Sequence, residues 1–195
     1  MRILEFGSPE KKKIILLHGL NIPWQMWQPV INCYAAAYHV LVPVLDGHDP
    51  KTNAPFISIE DEAEQIKAYY LPRYGTAVHM VIGLSMGGAI GFSLLSSGEL
   101  ETEYLVLDSG VFVPTPKPLL VINNKLQLGY KNKTKARKPK TLKQLEAAYG
   151  SALAPYYIEM ADKIGDEGIL AAANAIGSFS LADKISFPNT KIIAF

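Results

Sequence analysis

The sequence predicts an α/β fold built on a doubly wound, mostly parallel sheet. Short apolar runs bounded by Gly, Pro, Asp or Ser recur along the chain, and helix-like segments separate them. The strand-length runs are residues 14–17, 40–44, 78–82, 104–107 and 191–195. Because these runs lack alternation of apolar and polar residues, we expect each strand to be buried on both faces, as in a parallel sheet covered by helices. The regular alternation of strand and helix favours one wound sheet.

The elements before residue 110 follow this pattern in order. Residues 2–6 alternate more regularly than the later runs and fit an edge strand. Helix-like segments cover 24–37, 58–70 and 86–97, and the second begins with a Ser58/Asp61 pair that resembles a helix cap. We expect residues 1–110 to form the N-terminal part of a single core.

The alternation of strands and helices stops after the strand that ends near Asp108. Residues 111–183 are punctuated by proline, then basic, then helical, with apolar residues at helix spacing in 141–149, 155–164 and 168–176. We expect a helical cap, residues 111–184, inserted over the C-terminal edge of the sheet, with 185–195 returning to the core. The lysine-rich stretch 131–140 could contact an anionic substrate or surface, but a solvated loop is favoured.

Composition limits the classes of partner. Of 195 residues, 49% are apolar and 19% are charged, as in an ordinary globular domain. Nineteen basic and eighteen acidic residues leave a net charge of +1, so no global field favours nucleic acid or an anionic membrane. The single cysteine, Cys33, has no spaced partners for a disulfide or a zinc site. We expect a soluble, cytoplasmic protein without signal peptide, membrane span, metal or cofactor.

The pentapeptide from Gly83 to Gly87, with sequence GLSMG, follows the apolar run VHMVI and precedes the helical AIGFSLLSS. A serine on a tight strand-to-helix turn projects its hydroxyl above the sheet, and glycines flank it because side chains there would collide. The alternatives are a chance glycine-rich turn or a phosphate-binding loop. No GxGxxG follows the strand and no GxxxxGK[ST] occurs in the chain, so Ser85 is favoured as a nucleophile.

His18, Gly19 and Leu20 follow the apolar run IILL and form a second candidate element. Acyl transfer passes through a tetrahedral oxyanion, which two backbone N–H groups can stabilise by several kcal/mol. The N–H groups of Met86, directly after Ser85, and of Leu20 are the candidates for this oxyanion hole.

Together, HGL, PVLDGHD, GLSMGG and LVLDSG, in this order, resemble the α/β-hydrolase superfamily, and the resemblance extends over essentially the whole chain. It implies that Ser85 is the nucleophile, that Leu20 and Met86 form the oxyanion hole, and that residues 111–183 form a lid. The implied activity is that of a serine hydrolase acting on a carboxylic ester or related acyl bond of a small molecule. Serine at position 85, in place of aspartate, argues against the dehalogenase and epoxide-hydrolase branches.

The family order is Ser, then Asp or Glu after a later strand, then His. Residues 190–195 resemble the strand whose following loop supplies the acid, and the sequence ends there. We therefore expect the acid and the histidine to be absent and catalysis to be impaired. Asp108 lies where some members of the superfamily place their catalytic acid, although a carboxylate that bonds neighbouring amides at the end of a strand is favoured. His48 is the one conceivable substitute for the catalytic base, although a polar residue that orders the turn is favoured.

The expected absence of the acid and the histidine leaves a second hypothesis beside the serine hydrolase. In this hypothesis the protein is a non-catalytic ligand-binding or interaction module on the same scaffold. A sheet that ends at Phe195 would also present an unpaired apolar edge, which predicts self-association.

Overall fold

The computed structural model describes residues 1–52, 54–110, 112–181 and 187–195. It contains a six-stranded sheet in the order β1-β3-β2-β4-β5-β6. The strands are β1 Arg2–Phe6, β2 Lys13–Leu17, β3 His39–Val44, β4 Ala77–Leu84, β5 Glu101–Asp108 and β6 Lys191–Ala194. Only β1 runs antiparallel to its neighbour, β3, and all other neighbouring pairs in the described chain are parallel. The predicted mostly parallel α/β sheet and the edge strand at residues 2–6 are confirmed.

Seven α-helices occur in the described residues. They are α1 Gln28–Tyr34, which follows a 3₁₀ turn at Trp24–Trp27, α2 Ile59–Tyr74, α3 Met86–Ser96, α4 Lys117–Lys135, α5 Pro139–Tyr149, α6 Ala154–Lys163 and α7 Asp166–Ser178. The Ser58 hydroxyl accepts the Asp61 N–H at 3.0 Å, which confirms the predicted cap of α2. This helix runs one turn further than predicted, because Pro72 is accommodated and Gly75, at φ 73°, ends it.

Helices cover both faces of the sheet. Ile15 and Leu17 of β2 join the cluster that contains α2 and α3, whereas Ile14 and Leu16 join the cluster that contains Ile31 of α1. Successive strand residues point to opposite faces, so burial on both faces removes any apolar–polar alternation. The central strands therefore show the continuous apolar pattern that predicted them.

The expectation of two-sided burial is wrong for the last strand. All four residues of β6 are exposed, with Ile192 and Ile193 at 49% and 40%. The reason is its position, because β6 lies at the edge of the described sheet and pairs only with β5. An exposed apolar edge of this kind is a template for pairing with another chain.

Four helices, α4 to α7, lie between β5 and β6 in the chain. The expectation of a solvated loop at residues 131–140 is wrong, since α4 and α5 include most of this stretch. Lys131 is buried there and its ammonium group pairs with Asp166 at the start of α7. The expected segment boundaries at Val111, Lys184 and Ile185 lie outside the described residues. Among those residues, no helix combines the length and apolar character needed to cross a bilayer.

Candidate active site

Ser85 lies at the junction between β4, which ends at Leu84, and α3, which begins at Met86. Its backbone has φ 51° and ψ −112°, a conformation that side-chain-bearing residues rarely adopt. The Ser85 N–H donates to the Asp108 carbonyl at 2.7 Å, and the Ser85 carbonyl accepts the Gly88 N–H at 2.9 Å. The turn is thus held by hydrogen bonds on both sides, and it presents a half-buried serine at the C-terminal end of the central strands.

The two glycines that flank this turn have no room for a side chain. A Cβ at Gly83 would lie 2.4 Å from the Gly87 carbonyl oxygen, and a Cβ at Gly87 would lie 2.2 Å from the Leu17 carbonyl oxygen. Both distances are far below van der Waals contact, and both obstructing atoms belong to the backbone. The turn therefore packs directly on itself and on the end of β2.

The loop that follows β2 passes against the same turn. A Cβ at Gly19 would lie 3.4 Å from the Ser85 Cβ and 3.3 Å from the Leu84 carbonyl oxygen. The N–H of Leu20 has no acceptor among the described residues, and the N–H of Met86 is one of the first helical amides, which lack an intrahelical acceptor. The loop after β2 thus lies directly against the serine turn, and both segments contain backbone N–H groups without a partner in secondary structure.

His18 is fully buried and fixes the beginning of this loop. Its Nε2 accepts the Leu45 N–H at 3.2 Å, so the proton lies on Nδ1, which donates to the Gly19 carbonyl at 3.1 Å. Burial lowers the pKa of His18 to about 3, with a further contribution from neighbouring His48. His18 is therefore a neutral side chain that ties the loop to the end of β3.

His48 holds the other end of the loop. Its Nε2 accepts the Asn21 N–H at 3.1 Å, and its Nδ1 donates to the Asp46 carbonyl at 3.1 Å. Burial lowers the pKa of His48 to about 4. Both nitrogens are occupied by the backbone, so the suggested alternative role as a base is wrong and the turn-ordering role fits.

The remaining histidines serve the opposite end of the sheet. His39, at the start of β3, lies 3.0 Å from Glu5, and His79, near the start of β4, lies 3.0 Å from Glu103. In the part of the chain that the structure describes, none of the four histidines forms a hydrogen bond with Ser85.

Asp108 lies beside Ser85 but is engaged locally. It is the strand partner of Leu84, and its carbonyl holds the Ser85 N–H. Its exposed carboxylate accepts the hydroxyl of Ser109 at 2.9 Å. The position is compatible with a catalytic acid, whereas the contacts are those of a strand-end carboxylate.

One group of carboxylates could in principle hold a metal ion. Oxygen atoms of Asp46, Asp61 and Glu62 lie within 4.8 Å of one another. The Gln65 amide donates to Asp46 and Asp61, and the ammonium group of Met1 lies 3.2 Å from Asp46. Burial, followed by the neighbouring Asp46 charge, raises the pKa of Glu62 to about 8, so Glu62 is mostly protonated at pH 7. Glu62 Oε2 accepts the Asp46 N–H at 3.2 Å, whereas Glu62 Oε1 is buried without a hydrogen-bond partner among the described residues. A proton on Glu62 and the contacts of Gln65 and Met1 account for the close approach of the three carboxylates.

Asn21 is a site residue that sequence reasoning missed. It adopts φ 57°, and its side-chain amide donates to Gln127 of α4 at 2.6 Å. This contact joins the loop after β2 to the inserted helices. Asn21 also lines a cavity of about 30 Å³ beneath α4, α6 and α7, with room for about two water molecules. The asparagine directly after HGL was the one signal in the sequence for this turn, because asparagine tolerates a left-handed backbone conformation better than most residues.

Comparison with solved structures identifies the fold. No protein-family model matches the sequence, and no curated protein sequence is significantly similar to it. A protein from Desulfitobacterium hafniense described as an α/β-hydrolase family member superposes with a TM-score of 0.72 at 21% identity, covering 92% of this chain and 73% of that one. An esterase from Exiguobacterium antarcticum gives 0.72 at 18%, covering 99% and 85%. The enol-lactonase from Burkholderia xenovorans LB400 gives 0.66 at 18%, covering 92% and 71%. The chain therefore has the α/β-hydrolase fold.

Proposed function

We propose that this α/β-hydrolase-fold protein is a serine hydrolase that cleaves a carboxylic ester or related acyl bond of a small molecule through an acyl intermediate on Ser85. The observation that carries the proposal is the turn at Ser85. A serine at φ 51° on a strand-to-helix junction, packed so tightly that Gly83 and Gly87 cannot carry side chains, has no evident structural purpose. Esterases and a lactonase among the structural neighbours lend support to this reaction class.

The proposed reaction begins with attack of the Ser85 oxygen on the acyl carbon. As the carbon–oxygen double bond opens, the N–H groups of Met86 and Leu20 donate to the developing oxyanion. Hydroxide removes the Ser85 proton, and collapse of the tetrahedral intermediate expels the alkoxide, which takes a proton from water to become the alcohol. Water then hydrolyses the acyl-serine to the free acid. Loss of one such backbone donor typically costs about 100- to 1000-fold in rate.

In this proposal, the buried histidines maintain the oxyanion hole and take no part in proton transfer. His18 and His48 hold the backbone on either side of Leu20. Residues 111–184 act as the cap, which reaches the same loop through the contact of Gln127 with Asn21. A substrate that enters beneath the cap would therefore lie against both oxyanion donors.

Proton transfer from Ser85 is the step for which the described residues supply no base, because each histidine has other partners. A serine without a base is a weak nucleophile. We expect the 195-residue chain to acylate slowly, with a rate that rises about tenfold per pH unit because hydroxide removes the proton.

Labelling with a fluorophosphonate probe between pH 7 and 10 tests both parts of the proposal. We expect slow labelling that rises with pH, is lost in Ser85→Ala and is retained in Ser109→Ala, a control serine on the same sheet edge that also has positive φ. Unchanged labelling of Ser85→Ala would exclude Ser85 as the nucleophile. A rate that is already maximal at pH 7 would instead show that a base is present. A folded protein that binds small esters but is never labelled would favour a non-catalytic binding module.

A further inference from the structure

The outer face of α4 carries aliphatic side chains in solvent. Leu119, Ile122 and Leu126 are 56%, 53% and 66% exposed, and their spacing of three and four residues places them on one face of the helix. A different face of the helix is packed, and Lys131 and Thr134 are buried there. Helix α4 therefore buries polar side chains on its packed face and exposes aliphatic ones to solvent. No other described residue covers this apolar stripe.

The same region concentrates positive charge. Residues 117–149 contain nine basic residues and one acidic residue, which leaves ten basic and seventeen acidic residues in the rest of the chain. Two of the nine, Lys131 and Arg137, pair with Asp166 and Asp162. The other seven form no ion pair with a described residue: Lys117, Lys125, Lys133, Lys135, Lys138, Lys140 and Lys143. The net charge of +1 therefore conceals a strongly basic surface.

The lysines and the apolar stripe share one surface. An open groove of about 840 Å³ between α4 and α5 is lined by Lys125, Lys133, Lys138 and Lys140, together with Leu126. Its described lining contains no carboxylate. Exposed leucine and unpaired lysine side chains thus lie next to each other on the inserted helices.

We propose that this surface, the outer face of α4 with its lysine groove, docks on an anionic lipid membrane. Leu119, Ile122 and Leu126 enter the boundary between headgroups and acyl chains, while Lys125 and Lys133 bind headgroup phosphates and carboxylates. A basic helix with an apolar face is typical of interfacial binding. The inference rests on α4 and its surroundings and does not depend on the role of Ser85.

Charge and exposure favour a lipid surface over the other occupants. A second copy of the chain would bring lysine against lysine, which is unfavourable without intervening anions. A soluble polyanion would engage the lysines but would leave three aliphatic side chains in water. An anionic bilayer satisfies both groups at once.

Vesicle sedimentation with the 195-residue protein tests the proposal. We expect binding to phosphatidylcholine vesicles that contain 30% phosphatidylserine, little binding to pure phosphatidylcholine, and release at high salt. The double variant Lys125→Gln/Lys133→Gln is expected to lower the partition coefficient about 25-fold, at about fivefold per lysine. Leu126→Ser is expected to lower it about tenfold.

Matched variants elsewhere control for charge and hydropathy. Lys12→Gln/Lys51→Gln removes two lysines outside the surface, and Ile57→Ser removes an aliphatic side chain that is 64% exposed. Both are expected to bind vesicles like the parent, and circular dichroism verifies that each variant is folded. Equal losses in the control and surface variants would overturn the proposal.

Two other outcomes would also overturn it. Absence of vesicle binding, combined with a dimer that Leu126→Ser dissociates in light scattering, would assign the surface to a second copy of the chain. Binding to heparin and to vesicles alike, unaffected by Leu126→Ser, would indicate a general polyanion site without lipid insertion.

Discussion

Substitution of Gly87 by alanine is expected to force apart the two elements that meet at the candidate active site. The new Cβ would lie 2.2 Å from the carbonyl oxygen of Leu17, 2.6 Å from the carbonyl carbon of Leu17 and 2.9 Å from the carbonyl oxygen of His18. All three are backbone atoms at the end of β2, so no side-chain rotation can relieve the collision.

The magnitude follows from the distance that must be recovered. Carbon–oxygen contacts in proteins lie at about 3.3 Å or more, so α3 and the end of β2 must separate by about 1 Å. Overpacking on this scale costs about 3 kcal/mol, which corresponds to a fall in melting temperature of roughly 10 °C for a chain of this length. Ser85 would also move relative to Leu20, and a misplacement of about 1 Å costs about 100-fold in rate.

Gly88→Ala is the matched control, because its Cβ would lie 3.5 Å from the nearest neighbouring atom, a Leu107 methyl carbon, which is an ordinary van der Waals contact. It lies in the same helix, where alanine is favoured over glycine by about 1 kcal/mol. Thermal unfolding followed by circular dichroism, with fluorophosphonate labelling at pH 9, compares the two variants. If Gly87→Ala melts within 2 °C of Gly88→Ala, taken as roughly the effect of 1 kcal/mol, the close packing of the turn on β2 is refuted.

Three further predictions concern pH and association. The pKa of Glu62, raised from 4.5 to about 8, means that the folded protein retains a proton that the unfolded chain releases, so stability falls as pH rises from 4.5 to 8. Glu62→Gln is therefore expected to add about 4 kcal/mol in urea unfolding at pH 8 and nothing at pH 4, whereas exposed Glu60→Gln adds nothing at either pH; a pH-independent effect would contradict this. The pKa values of about 3 for His18 and about 4 for His48, against 6.5 ordinarily, mean that the folded protein binds fewer protons than the unfolded chain below pH 6.5. In the Glu62→Gln background, stability is expected to fall by about 4 kcal/mol from pH 7 to pH 5, and a flat profile would show that these imidazoles are solvated. Finally, the exposed β6 edge predicts concentration-dependent association that Ile192→Lys abolishes in light scattering; a parent protein that stays monomeric would count against it.

The central sheet could be predicted from the sequence because its signal is local. Strands buried on both faces have continuous apolar sequences, and five such runs were enough to indicate a parallel sheet. The turn at Ser85 was equally accessible, since the spacing of Gly83 and Gly87 around the serine reflects packing within a few residues. The cap of α2 depends on Ser58 and Asp61 alone.

The features that sequence reasoning missed depend on contacts between distant residues. Helix α4 was missed because no side chain caps its beginning and because its run of lysines indicated a solvated loop. One of these lysines, Lys131, is buried because it pairs with Asp166, 35 residues away in the chain. Likewise, the partner of His48 is the backbone of Asn21, which only the folded chain brings near. The exposed faces of β6 were also missed, because an apolar run does not by itself reveal whether helices cover its strand.

A crystal structure of the protein after reaction with a fluorophosphonate tests the central claim most directly. Our account predicts a phosphorus atom bonded to the Ser85 oxygen, with the phosphoryl oxygen about 2.7–3.1 Å from the backbone nitrogens of both Met86 and Leu20. A phosphonate attached to another residue, or a phosphoryl oxygen beyond hydrogen-bond distance of both nitrogens, would contradict the assignment of this turn as a catalytic site.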